Sequence, residues 1–285
     1  MSAGHHEGSE PWLGKDPTIL REQAYADDSH LDVRQRTHQL YTVDPVNFGR
    51  WTLERLPWRG GERVLDVGCG PGDLLREMGR QRGWGVLVGF DFSTGMAVKA
   101  ARSASGLPVH FFVGDGQAMP FPDGAFDVVM ARHMLYHVPD IDRAVAEAAR
   151  LLCRGGYFLT TTNSAHTMPE YQAICDRVAA RFPAVANPER ITDRFSLENG
   201  PAFLEPIFDQ VETHTLPGTL RFPTAQPFAD YSASIRSLTM RPGHTEAEWQ
   251  AVLGFVRAEA ETIIASKGRF DITKVTGAIV GVRGE

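Results

Sequence analysis

The stretch Val64-Leu65-Asp66-Val67-Gly68-Cys69-Gly70-Pro71-Gly72 decides the reading of this chain. A short apolar run ends in Asp66 and then in glycines at three alternate positions, 68, 70 and 72. Leu74, Leu75 and Met78 follow with helical spacing. The pattern predicts a strand that runs into a tight, side-chain-poor turn and then a helix. Glycine allows a sharp turn and close approach of a ligand to the backbone. The N–H groups that open the next helix favour polar or anionic groups. A small polar cofactor is therefore expected on this turn. A dinucleotide fingerprint would need glycine where Asp73 stands, and a phosphate-binding loop would need Lys and Ser or Thr after the glycines, so neither fits. Asp66, two positions before the first glycine, suits a ligand that carries an ammonium group.

Upstream of the turn, residues 28–56 mix Leu31, Leu40, Phe48, Trp51 and Leu53 with polar residues, as one or two amphipathic helices would. Downstream, 85–91, 109–115, 126–132 and 155–164 read as strands. Helical patterns cover 94–103 and 140–152, with Asp140 placed to cap the second. Short apolar strands alternating with helices imply a parallel, doubly wound α/β sheet. Ligands on such sheets bind beyond the C-terminal strand ends, and Asp66, Asp91, Asp115, Arg132 and Asn163 all fall there.

Past residue 164 the rhythm breaks. A helix and loop over 168–190, a crossover helix over 196–208, a strand over 211–222, two helices over 226–267 and a last strand over 272–283 are expected. The chain thus divides into a flexible arm (1–20), N-terminal helices that join a cap (21–58), and a sheet domain (59–285) with cap insertions near 168–190 and 223–267. Phe195, Phe203, Phe228, Tyr231 and Trp249 are expected to give the cap its aromatic lining.

Composition narrows the function class. With 29 Lys and Arg against 35 Asp and Glu, the net charge is −6, and no basic stripe of the kind that nucleic acids require stands out. No apolar stretch approaches the ~18 residues of a membrane span, and the N-terminus lacks the apolar core of a signal peptide. Cys69, Cys153 and Cys175 are odd in number and widely spaced, which fits a reduced cytoplasm rather than a disulfide framework. Cys69 reads as a small residue tolerated in the turn rather than a nucleophile.

Asp91, nineteen residues after Gly72, can accept hydrogen bonds from both hydroxyls of a ribose. Asp115 can accept from an adenine amino group, with Gly116 and Gln117 beside the ring. Phe92 and Met119 either sandwich that base or belong to the core. With these residues in view, VLDVGCGPG, GFDFS, GDGQAMPFPDGAFDVV and ARHMLYHVPD together resemble the class I S-adenosylmethionine (SAM) dependent methyltransferases. The branch is that of the ubiquinone/menaquinone-type and many natural-product enzymes. The resemblance spans about 60–165 and implies a Rossmann-like, mostly parallel seven-stranded sheet and SAM as cofactor. It further implies that Asp66 orients the methionine amino group, that the backbone at Gly68, Cys69 and Gly70 meets the methionine carboxylate, and that Arg132 and His133 are delivered to the cofactor.

Methyl transfer from a sulfonium is an in-line displacement, favoured by alignment and exclusion of water. A hydroxyl acceptor benefits from a general base. His137, four residues after His133, is the first candidate for base or acceptor orienter, with a plain packing role as the alternative, and His133 is the second. Met134 stands where a His-Glu-x-x-His zinc motif needs Glu, so no metal is expected. Tyr136, Asn163, His166 and Tyr171 are expected to line an acceptor pocket, closed by Tyr25, His30 and Tyr41 from the N-terminal helices. The expected function is methyl transfer to O or N of a small molecule of specialised metabolism, antibiotic biosynthesis included. Alternatives are C-methylation of a quinone, polyketide or isoprenoid-like acceptor, and a SAM-binding sensor or scaffold without transfer activity.

Overall fold

A computed structural model describes residues 29–187, 190–241 and 243–284, with backbone alone at 29, 30, 237 and 238. Eight strands form one sheet: β1 (Thr42–Val43), β2 (Arg63–Val67), β3 (Val86–Asp91), β4 (Val109–Val113), β5 (Phe126–Arg132), β6 (Leu152–Asn163), β7 (Gln210–Phe222) and β8 (Phe270–Val282). Their order is β1-β7-β8-β6-β5-β2-β3-β4. Strands β2 to β6 pair in parallel, and β8 runs antiparallel to both β6 and β7. The expected seven strands gain an eighth because Thr42 and Val43 pair with Leu220 and Thr219 on what would otherwise be an open edge.

The strand order reverses at β2, which lies between β3 and β5. Crossovers leave β2 and β5 in opposite directions there and open a crevice at their C-terminal ends. Helices α1 (Ser29–Tyr41) and α2 (Phe48–Leu53) precede β2, and α3 (Asp73–Gly79), α4 (Thr94–Ser103) and α5 (Ile141–Leu151) are the crossovers. The amphipathic α5 turns Ile141, Ala144, Val145 and Ala148 into the core. The Asp140 side chain caps it as expected, accepting from Arg143 N–H at 3.0 Å.

The cap is α6 (Pro169–Arg181), α9 (Ala225–Ala233), α10 (Arg236–Thr239) and the long α11 (Glu246–Lys267); the short α7 (Ile191–Arg194) and α8 (Pro201–Leu204) between α6 and α9 place Ile191, Phe203 and Leu204 against the sheet core. Of the cap helices, α9 to α11 connect β7 to β8. The near ends of that antiparallel pair share the sheet core through Ile279, while Leu220, Phe222, Phe270 and Ile272 at its far end form a second core with Ile174, Phe228, Trp249 and Val256 of the helices. The cap therefore has its own apolar interior.

Three expectations are corrected. Only Pro201–Leu204 of 196–208 is helical, because Pro201 and Pro206 carry no N–H with which a longer helical ladder could continue. Phe195 and Phe203 pack with the sheet core instead of the cap. The 226–267 segment forms three helices rather than two.

Candidate functional site

The glycine turn has the backbone that its sequence requires. Gly68, Gly70 and Gly72 take φ of 67°, 55° and 76°, the left-handed region that side chains disfavour. At Gly70 a β-carbon would meet nothing within 4 Å, so this face of the turn is open to the cavity. Gly70 also donates its N–H to Asp91 Oδ2 at 2.8 Å, and Ser93 N–H binds Asp91 Oδ1 at 2.8 Å. Each carboxylate oxygen is thus held by one backbone donor and keeps lone pairs for a ligand. Burial raises the Asp91 pKa, a cost that hydroxyl donors from a ribose would relieve. These features fit a SAM-type cofactor laid over the turn.

Asp115 stands exposed at the cavity wall, with Gly116 and Gln117 beside it. Gln117 donates to both Asp115 oxygens, at 2.9 and 3.0 Å, and its Oε1 accepts from Asp140 N–H at 3.1 Å, which ties the loop to the start of α5. Phe92 is 40% exposed at the cavity, whereas Met119 is 4% exposed and packs in the core, so Met119 takes the core alternative.

Asp66 requires a correction. It is fully buried, does not line the cavity, and binds Arg132 at 2.9 Å and 3.4 Å through both oxygens. The group that faces the cavity from this pair is the Arg132 guanidinium, fixed in place by the acid beneath it. Of this pair, Arg132 is the member that a ligand in the cavity would meet. Cys69 also faces the cavity, but burial pushes its thiol pKa well up, consistent with a small turn residue rather than a nucleophile.

One continuous cavity of about 1570 Å³ joins the turn to the underside of the cap. His133, Tyr136, His137, Asn163 and Tyr171 all line it. His133 has φ 51° and precedes a single 3₁₀ turn at Leu135–His137, so it and His137 are not successive turns of one α-helix. Burial, with Arg132 and His38 nearby, lowers the His133 pKa to about 4. Its ring packs on Phe48 at 5.5 Å, and its Nε2 lies 3.5 Å from Thr276 Oγ1. Two expected lining residues do not reach the cavity. Tyr41 packs on Phe222 at 5.2 Å, and His166 is exposed on a loop. Tyr25 and the side chain of His30 lie outside the described residues.

The sequence reading missed Arg34, His38, Lys274 and Thr276, which also line this cavity. The signal for Lys274 was a lone cation among the apolar alternations of the last strand; His38 carried none. Among the described residues no group of three His, Cys, Asp or Glu could hold a metal, and no helix is long and apolar enough to cross a membrane.

A methyltransferase-domain family model matches residues 65–160. Among similar proteins, a ubiquinone/menaquinone biosynthesis C-methyltransferase of Geobacter sulfurreducens is 35% identical over 122 residues, 39% of this chain and 48% of that one. A 27-O-demethylrifamycin SV methyltransferase of Amycolatopsis mediterranei is 35% identical over 105 residues, 35% of this chain and 38% of that one. The chain therefore spans less than half the length of either relative. The crystal structure of a putative methyltransferase from Bacillus halodurans C-125 shares the fold, with a TM-score of 0.59 and 19% identity over 83% of this chain and 99% of that one. The matched residues 65–160 contain the glycine turn, Asp91, Asp115 and the Arg132–His137 segment, so this part of the chain is similar to a methyltransferase domain.

Proposed function

We propose that this protein is a SAM-dependent methyltransferase that acts on an O or N atom of a small molecule of specialised metabolism. The observation that carries the reading is continuity. The glycine turn, Asp91 and Arg132 open into the same cavity as His133, Tyr136, His137, Asn163 and Tyr171. A donor laid over the turn and an acceptor under the cap would meet there without crossing bulk water.

When bound, SAM supplies an activated methyl group. The chain's contribution is alignment and a dry environment. Asp91 holds hydroxyls, Arg132 holds a carboxylate, and Asp66 fixes Arg132. Phe48 and Tyr136 wall the transfer point with apolar surface. With a pKa near 4, His133 is neutral at physiological pH and a weak base, which suits orienting an acceptor through a hydrogen bond. His137, in the adjacent turn, is the base for a hydroxyl acceptor.

C-methylation is the second reading. The relatives include one named as a C-methyltransferase and one whose name specifies an oxygen. Incubation of the protein with methyl-labelled SAM and a panel of phenols, alcohols, amines and quinols tests the proposal. Label on oxygen or nitrogen supports it, label on carbon supports the second reading, and cofactor binding with no transfer to any acceptor favours the sensor or scaffold.

A further inference from the structure

The cavity has two chemically different ends. Asp91 and Asp115 stand at the cofactor end, while Arg34, His38 and Lys274 face it from the side of α1 and β8. Three strand steps separate β8 from β2, roughly 14 Å at sheet spacing.

Lys274 is directed inward by its neighbours. It pairs across the sheet with Gly218 of β7, where a β-carbon would come within 2.8 Å of Lys274 Cε. Glycine at 218 thus leaves a channel for the lysine stem. The Lys274 ammonium donates to Thr42 Oγ1 at 3.0 Å and lies 3.4 Å from His38 Nδ1. An ammonium has three donors, so with these two neutral partners one donor remains for the cavity.

No carboxylate among the described residues neutralises this group. Burial alone accounts for the downward shift of the Lys274 pKa, with no acid acting against it. The acids nearby have other partners. Glu170 binds Thr273 and Asp176 binds Arg190. His38 is lowered to about 4 by burial, Lys274 and Arg34, so it is neutral until an anion arrives.

We infer that Lys274, His38 and Thr42 form a subsite for an anionic group on the acceptor, a carboxylate or a phosphate monoester. The inference rests on the reading of this cavity as an acceptor chamber and names the class of acceptor it takes. Along the same face of β8, Thr276 stands two residues from Lys274 and meets His133. The subsite would hold the acceptor by its charged end, with the reacting atom turned toward His133.

The full chain, with and without S-adenosylhomocysteine, is titrated with phenyl phosphate, benzoate and uncharged benzamide. Binding is followed by calorimetry and by the His38 ring resonances. At least one anion is expected to bind, to move the His38 signals and to raise its pKa. Lys274→Met should weaken that binding about tenfold or more, as the loss of a charge-assisted hydrogen bond does, while Lys274→Arg retains part of it. Benzamide should respond to neither change. The relative affinities of phenyl phosphate and benzoate distinguish the two anion sources. S-adenosylhomocysteine affinity reports folding of each variant, and Lys274→Gln replaces the methionine variant if that one misfolds. The inference is overturned if neither anion moves His38 more than benzamide does, or if the lysine variants bind the anions as the parent does. Failure of the parent to bind S-adenosylhomocysteine would overturn the methyltransferase reading instead, and the anion titration would still be read.

Discussion

At the scale of single residues, the Asp66–Arg132 pair carries the most consequence. Asp66 is fully buried, and the Arg132 side chain is 19% exposed. Removal of one member of a buried ion pair leaves the other charge without compensation, at a cost of about 3–5 kcal/mol. Asp66→Ala should therefore lower thermal stability severely and weaken cofactor binding, and a melting curve close to that of the parent would refute the role given to the pair. His137 offers a cleaner chemical test. If it removes a proton from a hydroxyl acceptor, His137→Ala should lower kcat by about 10²–10⁴ with little change in SAM affinity. Unchanged kcat and an unchanged pH profile would leave it a packing residue. The acids at the strand ends and the glycines were legible from sequence because a local pattern specifies them. The partner of Asp66 was not, because Arg132 lies 66 positions away. Met119 and Tyr41 were ambiguous for a related reason. An apolar side chain reads the same whether it faces a ligand or a core.

At the scale of elements, α1 and β8 bring together residues 236 apart in the chain, His38 and Lys274. No local periodicity reports such a contact, so this half of the cavity could not be read in advance. The strands β2 to β8 and the crossover helices α3 to α5 could, since each has its own period and stop signals, as Asp140 shows at the start of α5. The contact also sets a pH dependence. His38 and His133 have pKa values near 4 in the fold against 6.5 for the free side chain. Between those values the unfolded chain binds more protons than the folded one, so stability falls as pH drops from about 6.5 to 4. The loss is on the order of a few kcal/mol for each histidine. Denaturant titrations across this range should show the decline, and His38→Gln with His133→Gln should flatten it; a parent profile without slope in this window would contradict the burial of both rings. The cap elements make a separate prediction. Residues of α1, α6 and α9 line the cavity, so S-adenosylhomocysteine with an acceptor should slow hydrogen exchange in 31–42 and 225–233 as well as around the glycine turn. Protection confined to 64–132 would mean that these helices do not close on the ligands.

At the scale of the whole molecule, a parallel sheet with a switch point at β2 supplies the cofactor crevice, and the extended β7–β8 pair carries a cap with its own core above it. The two meet in one cavity, where a donor over the turn and an acceptor under the cap would share one space. The central claim is that this cavity holds SAM across the glycine turn with Asp91 on its ribose. Calorimetric titration of the full chain and of Asp91→Ala with S-adenosylhomocysteine tests it most directly. Two charge-assisted hydrogen bonds are worth about 1.5–3 kcal/mol each, so the parent should bind at one site per chain and the folded variant at least roughly tenfold more weakly. A parent that does not bind, or a folded variant that binds as tightly as the parent, would contradict the account.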